Sequence, residues 1–268
     1  MVLEHFMTDT ADHADIVLPA TTQLEHWDVH GAYGHTYALL NRPAVAPLGQ
    51  ARSNAAIFRA LARRMGFTEP CFDDDDETLA RRAYRPETVP FDQLLERGWV
   101  KLPLPEAPFA DGGFPTPDGR ARVAPPGFGV PDHVPNHECA ERTPELAARY
   151  PLAMISPPAR NFLNSTFVNV DSLRAIEREP LIEIHPADAA ARGISTGMAV
   201  KVFNDRGTYV CTADVSERAR PGVVNGLGVW WRKLGRNGTN VNELTHQRLT
   251  DIGRAPSFYE CLVDVAPA

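Results

Sequence analysis

Two groups of side chains of the kind that bind metals are the first chemical feature of the sequence. They are Glu25, His26, His30 and His35 in one stretch, and His133, His137 and Cys139 in another. Carboxylate, imidazole and thiolate groups are the usual ligands of zinc. Neither group has the HExxH spacing of a zinc protease, because Glu25-His26 is followed by Trp27-Asp28. We interpret both groups as turn and surface histidines in loops and predict no metal ligand; a histidine-cluster metal hydrolase remains a competing hypothesis.

Two segments rich in amides and hydroxyls offer a different chemistry. Residues 155–166 directly follow an apolar run, and residues 237–245 form the second segment. Amide and hydroxyl groups both donate and accept hydrogen bonds, which suits a flat heterocycle whose edge alternates donors and acceptors. Turn formation explains the same composition, so the residues alone leave both interpretations open.

Other reaction classes lack their signatures in this chain of 268 residues. It contains no Walker or GxGxxG motif. GISTG at residues 193–197 precedes a predicted strand rather than following one, so it is not a GxSxG nucleophile elbow, and we assign no catalytic residue. The four cysteines stand far apart without a CxxC pair, which favours reduced thiols and a cytoplasmic location. The net charge of −7 argues against a nucleic-acid partner. No apolar run reaches the roughly 20 residues of a transmembrane segment.

The elements that must position these segments fall into three zones. Residues 1–70 predict a short strand at 16–18 and a helix over 53–66. Residues 71–150 predict a connector with short helices, because prolines and glycines recur from 103 to 135. The last zone predicts short strands at 152–155, 181–184, 199–203, 208–215, 221–224 and 261–265. The pattern indicates an α+β chain, mainly β, that ends in a compact barrel.

Six short blocks of sequence are each a weak signal, but together their order and spacing are informative. They are residues 6–19 (FMTDTADHADIVLP), 47–52 (PLGQAR), 116–120 (TPDGR), 183–189 (EIHPADA), 220–224 (RPGVV) and 241–245 (VNELT). In this order and spacing, they resemble the C-terminal part of the dimethyl sulfoxide reductase superfamily of molybdopterin-guanine-dinucleotide oxidoreductases. The resemblance covers nearly the whole chain and is weakest over residues 71–110.

The resemblance implies a fold and a cofactor. The fold is a six-stranded double-psi β-barrel over 151–268, preceded by an incomplete α/β remnant of the cofactor-binding core over 1–70 and a Pro-rich connector over 71–150. The cofactor is bis-molybdopterin guanine dinucleotide with molybdenum or tungsten. By the matching motifs, the cofactor-binding residues are Ser156, Pro158, Arg160, Asn161, Leu163, Asn164, Ser165, Thr166, Asn242 and Tyr259. Where many members have a lysine, Tyr259 offers a phenol, which donates one hydrogen bond without neutralising phosphate charge.

The resemblance also implies that essential parts of the enzyme lie upstream. The family's iron–sulfur cysteines and its metal ligand have no counterpart in this sequence. We expect a missing N-terminal portion to supply the metal ligand and a 4Fe–4S cluster, and the chain alone to be an inactive part of an oxidoreductase. A small-molecule redox substrate and an electron-transfer subunit are the other expected partners. A periplasmic location stays open, because an export signal would lie on the missing portion. The competing hypothesis is a stand-alone double-psi barrel that binds without a cofactor.

Overall fold

The computed structural model describes residues 1–124, 127, 129–130 and 132–268. The chain forms two compact units, Met1–Val130 and Pro131–Ala268, and each has a hydrophobic core of its own. The functional division expected at residues 70 and 150 stays a prediction. Within the described ranges, no helix is both long enough and apolar enough to cross a membrane.

The first unit contains two small sheets with helices around them. Its elements are β1 (Val2–Glu4), α1 (Asp9–Asp12), β2 (Val17–Pro19), β3 (Asp28–Ala32), β4 (His35–Asn41), α2 (Asn54–Met65), α3 (Asp76–Arg82), α4 (Phe91–Arg97) and β5 (Trp99–Lys101). β1 and β2 pair in parallel, whereas β3, β4 and β5 form an antiparallel sheet in that order. The antiparallel sheet and the two helices α3 and α4 share one core, in which Ala38, Ala80 and Leu94 are buried.

Helix α2 confirms the signals that predict it from the sequence. Ser53 caps the helix, because its hydroxyl accepts a hydrogen bond from the amide of Ala56 at 3.1 Å. Gly66 ends the helix with φ of 80°, a left-handed conformation that glycine adopts without steric cost. Arg63 and Arg64 lie in the last turn, where cations favour the helix dipole.

The interpretation of the first histidine group as loop residues was wrong for two of its members. His30 lies in β3 and His35 begins β4. The strand forms because Trp27 and Val29 pack against the core of the first unit while β3 bonds to β4. The alternation of these apolar side chains with polar ones is the typical pattern of a half-buried strand.

The predicted connector, residues 71–150, includes the short helices α3 and α4 and the strand β5. From Leu102 to Thr143 the described residues include no helix or strand, and the next helix is α5 (Pro144–Arg149). The predicted connector also includes Pro125, Pro126, Phe128 and Pro131, which lie outside the described residues. Thr143 lies at the N-cap position of α5, but its hydroxyl makes no capping hydrogen bond and donates instead to the carbonyl of Cys139 at 2.9 Å.

Six strands of the second unit close into a barrel, as the sequence predicts. The elements after α5 are β6 (Leu152–Ile155), α6 (Asp171–Glu177), β7 (Leu181–Ile184), α7 (Pro186–Ala190), β8 (Ala199–Phe203), β9 (Thr208–Val215), β10 (Val223–Leu227) and β11 (Cys261–Pro267). The order around the barrel is β10, β6, β11, β8, β9 and β7, and β7 pairs with β10 to close it. The pairs β6–β10 and β7–β9 are parallel, and the others are antiparallel.

The barrel interior is filled by aliphatic side chains together with two cysteines and a tyrosine. Cys211 and Cys261 are buried, and burial raises the pKa of the Cys261 thiol to about 12. Neither thiol is therefore a thiolate near neutral pH. Tyr209 is fully buried on β9, and its hydroxyl has no hydrogen-bond partner among the residues that the structure describes. Burial also raises the pKa of Tyr209, so the phenol is neutral.

Tyr209→Phe is expected to stabilise the protein. A buried hydroxyl without a partner costs ~1–3 kcal/mol, and removing it should raise the free energy of unfolding by about 1 kcal/mol. Tyr150→Phe is the control, because the Tyr150 hydroxyl donates to Asp205 at 2.7 Å. Urea unfolding of both variants checks the prediction, and a loss of stability in Tyr209→Phe would contradict it.

Candidate cofactor-binding site

The predicted site residues of the second unit converge on one end of the barrel. β6 and β10 run in parallel, with Val223 opposite Ala153, so the segments that follow them leave the barrel at the same end. β11 is antiparallel to β6, with Cys261 opposite Met154, so the residues before β11 lie at that end too. Residues 156–166, residues 240–245 and Tyr259 therefore share one end of the barrel.

Gly228 joins the segment after β10 to the segment after β6. Its amide donates to the carbonyl of Pro157 at 2.9 Å. Its φ is 77°, and a Cβ at this position would lie 3.0 Å from the Cβ of Ala159. Only glycine allows this conformation and this close approach together.

A small aromatic core packs against the same two segments. Phe162 and Trp230 are buried, and their ring centroids lie 5.1 Å apart in an edge-to-face arrangement. The indole N–H of Trp231 donates to the carbonyl of Ser165 at 2.8 Å. Phe162, Trp230 and Trp231, none of them a predicted site residue, therefore help to fix the backbone of the first segment.

The tip of the first segment presents polar side chains outward. Leu163 and Thr166 exchange backbone hydrogen bonds at 3.1 and 2.9 Å, and the residues between them form the tip. Asn164 has φ of 54°, in the left-handed region that asparagine tolerates. Arg160, Asn164, Ser165 and Thr166 are exposed, and within the described chain their side chains make no hydrogen bond.

The other members of the first segment differ in environment. The side-chain amide and the backbone amide of Asn161 both donate to the Glu177 carboxylate at 2.7 Å, so this amide group is held within the protein. Ser156 is buried, whereas Pro158 and Leu163 are exposed and offer an apolar surface. The exposed amides and hydroxyls at the tip are the better hydrogen-bonding candidates.

The second segment presents Asn242 between two buried anchors. Val241 and Leu244 belong to the barrel core, while Asn242 is exposed. The Asn240 side chain accepts a hydrogen bond from the Asn242 amide at 2.9 Å and holds the turn. This turn therefore displays one asparagine side chain at the same end of the barrel as Asn164.

A buried ion pair that the sequence analysis missed fastens the second segment to the barrel. Arg206 donates to the Leu244 carbonyl at 2.7 Å, and its guanidinium binds both carboxylate oxygens of Glu138 at 2.5 and 3.0 Å. The amide of Leu262 donates to the same carboxylate at 3.0 Å. Burial by itself raises the pKa of Glu138, but the hydrogen bonds from Arg206 and Leu262 outweigh it and hold the pKa below 4.5. Sequence offers no signal for this pair, since its partners are 68 positions apart.

Tyr259 lies beside a small cavity just before β11. The cavity has a volume of about 190 Å³ and is lined by Asn136 and the residues from Pro256 to Glu260. Tyr259 is 45% exposed and contacts the ring of Phe258 edge to face. Its hydroxyl makes no hydrogen bond to any described residue, so it is free to donate one to a ligand.

The histidine groups do not assemble a metal site in the described part of the chain, where no three histidine, cysteine or carboxylate side chains have the geometry to hold an ion. His26 Nδ1 bonds to the Thr21 hydroxyl at 2.9 Å. His137 Nε2 bonds to the carbonyl of Leu249 at 3.0 Å, where a carbonyl requires that this nitrogen donate. These two ring nitrogens are therefore engaged in hydrogen bonds within the protein.

Comparison with known families matches both units. Residues 152–262 match the molydopterin dinucleotide binding domain, and residues 1–64 match the molybdopterin oxidoreductase family. The fold is similar to that of acetylene hydratase from Pelobacter acetylenicus, with a TM-score of 0.80 and 22% identity. This similarity covers 100% of the chain and 40% of the hydratase.

Similar sequences include much longer oxidoreductases. The probable oxidoreductase YoaE of Bacillus subtilis is 35% identical over 99% of the chain, which spans 39% of the relative. A dimethyl sulfoxide/trimethylamine N-oxide reductase of Cereibacter sphaeroides is 34% identical over 85% of the chain, which spans 32% of that enzyme. The chain belongs to the dimethyl sulfoxide reductase superfamily of molybdopterin oxidoreductases. A stand-alone barrel does not account for the match over residues 1–64.

Proposed function

We propose that the chain is the cofactor-covering portion of a bis-molybdopterin-guanine-dinucleotide oxidoreductase containing molybdenum or tungsten. Residues 151–268 act as the dinucleotide-binding module, with double-psi topology. Residues 1–70 complete part of the cofactor-binding core, and residues 71–150 connect the two. The observation that carries the proposal is the convergence of both amide-rich segments on the barrel end where β6 and β10 finish.

The donor set at this end suits a pterin. A pterin ring presents ring nitrogens, an amino group and a carbonyl, which pair with amides and hydroxyls. Asn164, Ser165, Thr166 and Asn242 offer such groups and are exposed. Arg160 adds a guanidinium suited to a phosphate, and Tyr259 adds a single donor. Asn161 positions the segment through Glu177 rather than binding directly.

The chain's own part in the reaction is to bind, orient and cover. The cofactor, when bound, supplies the oxygen-atom or hydride-equivalent transfer and passes electrons on. The polypeptide that makes up the rest of the enzyme supplies the metal ligand and the 4Fe–4S cluster, and an electron-transfer subunit receives or delivers electrons. The substrate is a small redox-active molecule. The cytoplasmic location stays a prediction from the cysteines, which are all free.

Asn164→Ala and Asn242→Ala are each expected to reduce pterin retention. A lost hydrogen bond that leaves a ligand group unpaired costs ~1–3 kcal/mol, which corresponds to a loss of about 5- to 150-fold in affinity. The measurement is pterin fluorescence after oxidative release. The material is a complex of this chain co-expressed with the part of B. subtilis YoaE that lies outside the match.

Ser195→Ala is the matched control for this measurement. Ser195 is exposed and precedes β8, whose first residue lies at the opposite end of the barrel from the site. Its pterin content should equal that of wild type. Full retention in both asparagine variants would exclude these residues as pterin ligands, and a wild-type complex without pterin would overturn the proposed function.

A further inference from the structure

The turn between β8 and β9 contains a buried polar side chain that a hairpin turn does not require. β8 is antiparallel to β11, with Phe203 opposite Asp264, so β8 ends at the same end of the barrel at which β11 begins. Residues 204–207 therefore lie at the end that carries the candidate site. Asn204 is only 8% exposed, although asparagine is mostly exposed in folded proteins.

The side chain of Asn204 connects this turn to the segment that carries Asn242. Its Nδ2 donates to the carbonyls of Leu244 and Leu262 at 3.0 and 3.1 Å, and its Oδ1 accepts from the amide of Arg206 at 2.9 Å. Arg206 Nε donates to the same Leu244 carbonyl at 2.7 Å, so both lone pairs of this oxygen are used. The turn therefore holds the backbone two residues after Asn242.

Gly207 of the same turn contacts the segment one residue closer to Asn242. A Cβ at Gly207 would lie 3.0 Å from the carbonyl oxygen of Glu243 and 3.3 Å from its Cβ. Gly207 does not have a left-handed φ, so close approach rather than backbone conformation is the reason for glycine at this position. Any larger residue would press on the backbone that directly follows Asn242.

We propose that Asn204 and Gly207 are positioning residues for the pterin. They fix the backbone of residues 243–244 and so determine where the exposed Asn242 side chain meets the cofactor, while neither of them is a ligand. A displaced backbone carries the Asn242 amide with it, and a hydrogen bond weakens steeply when its distance and angle depart from the preferred geometry. The inference rests on the proposed function and adds the residues that set the position of one ligand.

Two variants disturb the segment by different routes. Gly207→Ala pushes the Glu243 backbone and removes no hydrogen-bonding group. Asn204→Asp keeps the acceptor for the Arg206 amide, but it places a carboxylate oxygen where the amide nitrogen donates to the Leu244 carbonyl. Two oxygens without a proton between them repel each other, so this variant also displaces the segment.

Each variant has a matched control in the same unit. Gly253→Ala is the control for the added methyl, because Gly253 also lacks a left-handed φ and the nearest atom to its Cβ would be Thr250 Oγ1 at 3.8 Å. Asp205→Asn is the control for the change of polar group. Asp205 belongs to the same turn, but its side chain binds Arg149 and Tyr150 instead of the segment.

The measurement is the amount of pterin per mole of complex, for each variant co-expressed with the part of YoaE outside the match. Pterin is quantified by fluorescence after oxidative release. Gly207→Ala and Asn204→Asp should each retain at least about fivefold less pterin than wild type, the lower bound for one lost hydrogen bond. Both controls should equal wild type. Circular dichroism verifies folding, and Gly207→Ala decides alone if Asn204→Asp does not fold.

A double variant distinguishes positioning from general damage to the barrel. Gly207→Ala combined with Asn242→Ala should retain as much pterin as Asn242→Ala alone, because both changes remove the same contact. Losses that add would overturn the proposal, as would an equal loss in either control or full retention in Asn242→Ala. Undiminished retention in Gly207→Ala or in Asn204→Asp overturns the role of that residue.

The outcome for wild type separates this inference from the proposed function. A wild-type complex without pterin overturns both, since there would be no cofactor to position. A wild-type complex that retains pterin, together with variants that retain as much, contradicts only the positioning role.

Discussion

Glu138→Gln is expected to lower the free energy of unfolding by ~3 kcal/mol, because breaking a buried ion pair leaves an uncompensated charge. The Glu138 side chain is 8% exposed and that of Arg206 is 29% exposed. The variant leaves the guanidinium of Arg206 without its counter-charge beside the Leu244 carbonyl. Urea unfolding at neutral pH measures the loss.

Asp205→Asn provides the matched control. Asp205 also forms a two-point ion pair, with Arg149, but both side chains are more than half exposed. Exposed pairs contribute only ~0–1 kcal/mol, so this variant should change stability little. Equal losses in the two variants would contradict the assignment of a structural role to the buried pair.

The Glu138–Arg206 pair makes the stability of the fold depend on pH, and the sign of this dependence follows from the pKa of Glu138. The pKa of Glu138 is lower in the folded protein than its ordinary value of 4.5. A carboxyl with a lowered pKa stabilises the fold fully above its unfolded pKa, and this stabilisation is lost as the pH falls through the folded value. The difference in stability between wild type and Glu138→Gln should therefore be constant above pH 4.5 and shrink below it. A difference that grows in acid would show that the sign is wrong.

Gly228→Ala is expected to lower the free energy of unfolding by about 2–5 kcal/mol, from ~1–2 kcal/mol for a left-handed residue and ~1–3 kcal/mol for overpacking. The new methyl would press on Ala159 and reach Phe162, so the segment with the predicted pterin ligands must move. Pterin retention in the co-expressed complex should fall as well.

Gly197→Ala separates the two costs of that substitution. Gly197 has φ of 85°, similar to Gly228, but no atom lies within 4 Å of a Cβ built there. It should lose only the conformational part, about 1–2 kcal/mol, and keep its pterin. If both glycine variants lose the same stability, the contact with Ala159 does not contribute to the loss in Gly228→Ala.

The barrel was predictable because its strands follow local rules. β8 alternates exposed and buried residues before the turn at Asn204–Gly207, β9 begins with the same alternation after it, and the structure places both strands at their predicted bounds. Helix α2 was equally predictable from the sequence, since Ser53 and Gly66 mark its ends. In contrast, β3 was not predicted, because its polar residues and Gly31 resemble those of a loop.

The supporting contacts of the candidate site were not predictable from local pattern. Glu138 and Arg206, like Trp231 and Ser165, meet only after the barrel closes. The amide-rich segments were visible as composition, but their common location depends on the parallel pairing of β6 with β10. Family resemblance rather than periodicity identified them as cofactor ligands, and that assignment remains a proposal.

The strand order of the barrel has a consequence for how the second unit folds. Among the six described barrel strands, only β8 and β9 are neighbours both in the barrel and along the chain. β11 pairs with β6 and β8, so the ring is incomplete until these last strand residues are available. Topologies dominated by such distant pairings fold slowly, typically in milliseconds to seconds. During synthesis, the β8–β9 hairpin can form early, whereas the other strands stay unpaired with exposed apolar faces until β11 has been made. A chaperone would have most effect in this period.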